Sequence, residues 1–355
     1  MIQIYNGTLT SKERVLRTFN HEKADRVPIG YFANPGIQKR VAAALGVPAD
    51  KDSVNDALGV DFKGLMPAYT GKPLFTVPGP ERHVHPLTGA VTRWVANEDG
   101  GYWDYCDFPL AEADDEIIAN WPVPDPDDFD YDGLLEKCKA YGHKAVYFGH
   151  PGISDVMNNT GMIRGMENIY MDLALETESV MTLLDRRMKA ELAMFERALD
   201  KCRDYVDFIW TGEDLGTQRA PLISLDMFRA QIRPRHQPLI DLASSYGKPV
   251  MIHCCGSSSW AFEDFIEMGI RAVDTLQPEA ADMDPACLAR KYGGRLAFHG
   301  CISTAKLAVM TPEAVAQNVA ETLETMMPHH GYCLAPRSEE RRVGKECRSR
   351  WSPYH

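Results

Sequence analysis

The sequence lacks any apolar run near the ~18 residues of a membrane-spanning helix. It also lacks an excess of basic charge, with 38 Lys and Arg against 50 Asp and Glu, a net of −12. The first absence argues against a membrane protein, and the second against a surface that neutralises nucleic-acid phosphates or anionic lipid. Residues 1–7 show no basic segment followed by an apolar stretch, so no secretion signal is expected. Nine cysteines are an odd number, too scattered for a stapled scaffold, and read as the reduced thiols of a cytoplasmic protein. No Gly-x-Gly-x-x-Gly follows a strand-like run, which leaves a doubly wound nucleotide fold as the second choice of architecture. No repeat, low-complexity tract or Gly/Ser linker interrupts residues 11–336.

What is present is a folded enzyme-like composition, 45% hydrophobic and 25% charged. A helix is expected over Ser11–Phe19 with Ser11 as its N-cap, then a strand over Arg26–Phe32, a β-hairpin insertion over Leu65–Gly101 and a surface loop over Pro122–Asp132. From Ala145 onward, short apolar runs alternate with helix-like stretches. The runs are Ala145–Gly149, Phe208–Thr211, Pro249–His253, Ala272–Leu276, Leu296–His299 and Tyr332–Ala335. Continuous apolar strands separated by helices imply βαβ units and a parallel sheet covered on both faces. About seven or eight such units fit a single-domain (β/α)8 TIM barrel over residues 1–336, with chemistry at the C-terminal ends of the strands. The last nineteen residues, Arg337–His355, carry a net of +3 against −15 for the rest and have no periodicity. They are read as a non-native read-through tail, with the barrel truncated at its last helix.

Polar residues gather where those strands end. His253-Cys254-Cys255-Gly256 closes one of them, and period-two alternation aims His253 and Cys255 to one face, an imidazole and a thiolate suited to zinc. A buried His and Cys in a barrel layer is the competing reading. His299-Gly300-Cys301 repeats the spacing on the next strand but one, so Cys301 is a candidate third ligand. Glu213, Asp214, Asp274, Gln277 and Glu279 stand just after or within strands, where a carboxylate serves as general base, metal ligand or helix cap. Asp155, Asn158 and Asn159 are candidates to hydrogen-bond a polar substrate.

Five segments carry a family resemblance: Ser11–Pro28 (SKERVLRTFNHEKADRVP), Thr211–Arg219 (TGEDLGTQR), His253–Ser257 (HCCGS), Leu276–Pro285 (LQPEAADMDP) and Leu296–Thr304 (LAFHGCIST). Together they resemble the uroporphyrinogen decarboxylase superfamily, and this implies a (β/α)8 barrel. The true decarboxylases carry an arginine-rich segment after the first strand, whereas Gly30–Arg40 here holds no arginine before Arg40. His253 and Cys255 instead match the zinc- and corrinoid-dependent methyltransferase branch. There the third ligand is a cysteine just beyond Leu-Ala-Pro, where Arg337 and Ser338 stand in this chain.

The resemblance implies zinc on His253 and Cys255; either Cys301 substitutes as the third ligand or the site is incomplete as written, with Glu213 and Asp214 as the expected catalytic residues and Asn158, Gln218, Gln277, Glu279 and His299 as the expected substrate-binding ones. It further implies methyl transfer between a separate corrinoid protein and a small acceptor, a thiol or tetrahydrofolate, because the chain has no Asp-x-His-x-x-Gly corrinoid-binding signature. The alternatives are porphyrinogen decarboxylation and a non-catalytic barrel that binds a corrinoid protein.

Overall fold

A computed structural model describes residues 7–76, 79, 81–96, 101–307 and 309–336. Its strands in chain order are β1 (Phe62–Leu65), β2 (Ala68–Tyr69), β3 (His83–Val84), β4 (Val91–Val95), β5 (Tyr102–Tyr105), β6 (Phe129–Asp130), β7 (Ala145–Gly149), β8 (Phe208–Gly212), β9 (Val250–His253), β10 (Ala272–Leu276), β11 (Ala297–Ile302) and β12 (Tyr332–Pro336). Seven of them pair in parallel in the order β1-β7-β8-β9-β10-β11-β12, a curled sheet whose order never reverses. A doubly wound sheet reverses at a switch point, so that alternative is excluded.

Side-chain alternation builds two apolar layers from these strands. Phe62, Ala145, Tyr147, Phe208, Trp210, Met251, Ala272, Ala297 and Cys333 pack together inside the curl. Val146, Phe148, Ile209, Val250, Ile252, Val273 and Phe298 point the other way, onto the covering helices. Burial on both faces is why these strands read as continuous apolar runs.

The gap between β12 and β1 is spanned by the segment expected as a strand over Arg26–Phe32. Only Ile29 makes a bridge there, to Leu334, while its carbonyl accepts from Asp61 N at 2.9 Å. This segment is held by ions beneath it. Arg14 donates to Asp25 (2.8 Å) and Asp61 (2.6 Å), and Arg26 donates to Asp61 (2.6 Å). Arg14 lies on α1 (Ser11–Phe19), whose N-cap is Thr10 in a capping box with Glu13, not Ser11.

Between β1 and β7 the chain adds two α-helices and two small antiparallel sheets. Before β1 come α2 (Pro35–Leu45) and α3 (Lys51–Ala57), and after it α4 (Asp115–Ala119) and α5 (Tyr131–Ala140). The small sheets are β3-β4-β5 and β2-β6. The expected hairpin thus gains a third strand beyond Gly101, and the expected Pro122–Asp132 loop contains β6 and the first turn of α5. Three helices follow β7: α6 (Met157–Arg164), α7 (Met166–Leu175) and α8 (Glu178–Cys202). Among the described residues no helix is long and apolar enough to cross a membrane. The residues 337–355 read as a tail lie outside the described residues.

Candidate metal centre

A cavity of about 1150 Å³ opens at the C-terminal ends of β7, β8 and β9, roofed in part by the β3-β4-β5 sheet. Asp214, His253 and Cys255 line it together. His253 ends β9, and the alternation expected from sequence holds: Cys254 joins the outer core while His253 and Cys255 face the cavity. Gly256 then turns the chain at φ +73°, and a Cβ there would collide with the Gly216 carbonyl. Only glycine permits this approach of the β8 and β9 loops, and the approach is what carries Asp214 to Cys255.

The donor atoms converge. His253 Nε2 lies 3.2 Å from Cys255 Sγ and 3.6 Å from Asp214 Oδ1. All three donors fall within 4.8 Å of one another, and among the described residues this is the one group of three or more His, Cys, Asp or Glu donors that does so. Tetrahedral zinc with bonds of about 2.0–2.3 Å requires donor separations of roughly 3–4 Å, and both separations from His253 Nε2 fall in that range. Asp214 Oδ1 also accepts from Cys255 N at 2.9 Å, and its Oδ2 accepts from Asn158 Nδ2 at 3.0 Å.

Behind His253 the network is buried. Its Nδ1 meets Asp274 Oδ2 at 2.8 Å and Thr275 Oγ1 at 2.9 Å. Asp274 Oδ1 in turn meets His299 Nδ1 at 2.5 Å. Burial works to raise the Asp274 pKa, but the His299 charge and the hydrogen bonds from both imidazoles overcome it and hold this carboxyl well below its usual range.

Other residues singled out from sequence lie elsewhere. Cys301 is in the outer core and does not join the donor group. The β10–β11 pairing shifts register between Asp274 and Leu276, with Thr275 and Cys301 both at φ +65°, so the period-two extrapolation from His299 fails. Burial pushes the Cys301 thiol up to about 12. Glu213 is 1% exposed and does not line the cavity. Its oxygens accept from Val156 N (2.8 Å) and Met157 N (3.1 Å) at the start of α6, with His236 Nε2 at 3.1 Å. Burial lifts it to about 8 against those two backbone hydrogen bonds.

Gln277 is buried, and its Oε1 accepts from Gly256 N. Glu279 accepts from Ser303 Oγ at 3.1 Å, and the Gln218 carbonyl accepts from Ala281 N at 3.0 Å. Neither lines the cavity, nor does His299, which lies inside the curl against Phe62. Asn158 alone of the five expected substrate-binding residues does. Asp155 and Asn159 line it too, although Asp155 caps α6 by accepting from Asn158 N at 2.7 Å. Thr275 and Trp210, whose ring centroid lies 6.4 Å from that of His253, were not apparent from sequence.

A curled parallel sheet with polar donors at its strand ends defines a barrel-like α/β enzyme architecture. The family model described as Uroporphyrinogen decarboxylase (URO-D) matches residues 155–337, more than half of the chain, and the chain belongs to that family. A solved methyltransferase from Methanosarcina mazei is similar in fold, with a TM-score of 0.64 at 16% identity, covering 93% of each chain. A D-psicose 3-epimerase structure with D-fructose reaches a TM-score of only 0.33 at 12% identity, over 68% of this chain and 81% of that one. No curated protein matches the chain.

Proposed function

We propose that this chain is a methyltransferase that uses zinc to activate a small acceptor, a thiol or tetrahydrofolate, for methyl transfer from a separate corrinoid protein in the cytoplasm. The observation that carries the reading is the convergence of His253 Nε2, Cys255 Sγ and Asp214 Oδ1 at the cavity wall. His253, Cys255 and Asp214 would hold the ion beside the cavity that would admit the acceptor; Asp214 replaces Cys301 in this set. Bound zinc supplies Lewis acidity that lowers the pKa of a coordinated thiol. Asn158 steadies Asp214, and Trp210 and Tyr147 line the apolar wall beside the site. Residues 28–30 would then serve as the reduced first strand of a (β/α)8 barrel, a reading supported by the Ile29–Leu334 bridge.

The family's name suggests porphyrinogen decarboxylation, and the cavity speaks against it. Its lining includes two cationic side chains, Lys51 and Arg187, and Arg187 is already engaged by Thr160 Oγ1 at 2.8 Å. A substrate with many carboxylates needs more cations than that. The test measures zinc per chain and the zinc-dependent demethylation of free methylcobalamin with a thiol acceptor. Near-stoichiometric zinc and demethylation lost on chelation are expected; metal-independent conversion of uroporphyrinogen to coproporphyrinogen would overturn the proposal.

A further inference from the structure

We propose that His299 is a positioning residue for the metal site, acting through Asp274 to fix His253 with its proton on Nδ1 and its Nε2 lone pair toward Cys255 and Asp214. The inference rests on the metal reading above and adds to it a three-strand device beneath the cavity.

Register places the three side chains level with one another. Asp274 on β10 pairs with His253 on β9 and with His299 on β11. All three are buried, at 1% exposure for Asp274, 7% for His253 and 4% for His299. Each carboxylate oxygen of Asp274 faces one imidazole nitrogen, and a proton on each of those two nitrogens satisfies both contacts. His253 Nδ1 faces Oδ2 at 2.8 Å, and His299 Nδ1 faces Oδ1 at 2.5 Å. For a neutral His253, a proton on Nδ1 leaves the lone pair on Nε2, the atom 3.2 Å from Cys255 Sγ. The tautomer that binds metal is therefore already selected by the buried carboxylate.

A carboxylate held by one imidazole alone can still turn about its own axis. His299 removes that freedom by fixing the second oxygen, and His299 is itself fixed by packing. The Phe62 ring meets it edge-on at 5.3 Å between centroids, and a Cβ on Gly30 would collide with its Nε2. The register shift adds a third hold. Thr275, a β-branched residue at φ +65°, is kept in a strained conformation that brings its hydroxyl within 2.9 Å of His253 Nδ1 and 2.8 Å of Asp274 Oδ2. Strain retained beside a converged donor set is what a positioning role requires.

Two measurements on the full chain test this. In the metal-free protein, long-range nitrogen-15 NMR of labelled histidine should report His253 as the Nδ1–H tautomer; an Nε2–H tautomer or an averaged mixture overturns the inference. Chelator competition then reads zinc affinity for wild type, Asp274→Asn, His299→Leu and His299→Gln. Loss of an outer-shell partner of this kind weakens metal binding ~10–100-fold, so that loss is expected for Asp274→Asn and His299→Leu. The amide of His299→Gln can still donate to Asp274 and should recover most of it. His299→Leu binding zinc as tightly as wild type, with an unchanged thermal melt, overturns the positioning role. Failure of wild type to bind zinc sinks the metal reading instead, and the NMR result then decides whether His299 and Asp274 orient His253.

Discussion

Glu213 and Asp214, adjacent in sequence, both grip the first turn of α6 but by different atoms: Glu213 takes the backbone N–H groups of Val156 and Met157, Asp214 the Asn158 side chain. Only Asp214 also reaches the cavity. The expected catalytic pair thus divides into a helix anchor and a candidate metal donor.

Truncation of the anchor should be felt in stability. Glu213→Ala leaves two buried N–H donors without partners, at ~1–3 kcal/mol each, so a loss of about 2–6 kcal/mol is expected in urea unfolding. Zinc stoichiometry should persist in the fraction that remains folded. A fully stable Glu213→Ala would mean that Asp155 and Asp214 hold α6 without it.

Asp214→Asn should behave in the opposite way. The amide keeps the shape and an oxygen for Cys255 N, and the Asn158 amide can turn to present its oxygen to the new N–H, so the melting temperature should change little. Loss of the anionic donor should weaken zinc by more than the ~10–100-fold typical of outer-shell partners. Cys301→Ala should leave zinc affinity unchanged, because Cys301 packs in the outer core. If Cys301→Ala lost the metal and Asp214→Asn kept it, the donor set would be the one read from the sequence.

Strands from β7 onward were legible because both their faces are buried, which writes β7, β8, β9 and β10 as largely apolar runs with their polar residues toward the C-terminal ends. β1 was not, since Lys63 and Gly64 interrupt it, and α6 (MNNTGMIR) is too rich in Asn, Thr and Gly to look helical. That helix is capped from afar by Glu213, across 57 residues of sequence, and local propensity carries no trace of such a partner. Period-two reasoning placed His253 and Cys255 well and failed at Cys301, where a register shift set by pairing with β10 intervenes. Asp214 could be singled out but not assigned as a donor, because its reach depends on two glycines meeting across separate loops.

Acid should loosen the segment that joins β12 to β1. Asp25 is held well below the usual carboxylate range, chiefly by the Arg14 guanidinium and also by the Leu9 and Thr8 N–H groups, against the effect of burial. Its unfolded pKa is about 3.9, so the unfolded chain takes up this proton first as pH falls. The stabilisation is therefore full above pH ~5 and fades toward the lower folded value. Urea midpoints from pH 7 to pH 3 should show wild type above Asp25→Asn at neutral pH, with the gap closing below about pH 4. A gap constant across that range would assign the effect to shape, not charge.

Trp210 offers an optical reading of where a metal sits. Its buried ring lies 6.4 Å from the His253 ring between centroids, and its Nε1 has no partner. Cobalt(II), a paramagnetic stand-in for zinc, should quench the emission of an indole at this short range. Titration of cobalt into wild type should therefore lower tryptophan fluorescence, and Trp210→Phe should remove most of that change. Trp103 and Trp121 line the same cavity from the insertion side. Quenching that survives Trp210→Phe but disappears in Trp103→Phe or Trp121→Phe would move the ion away from His253 and Cys255 and refute the site.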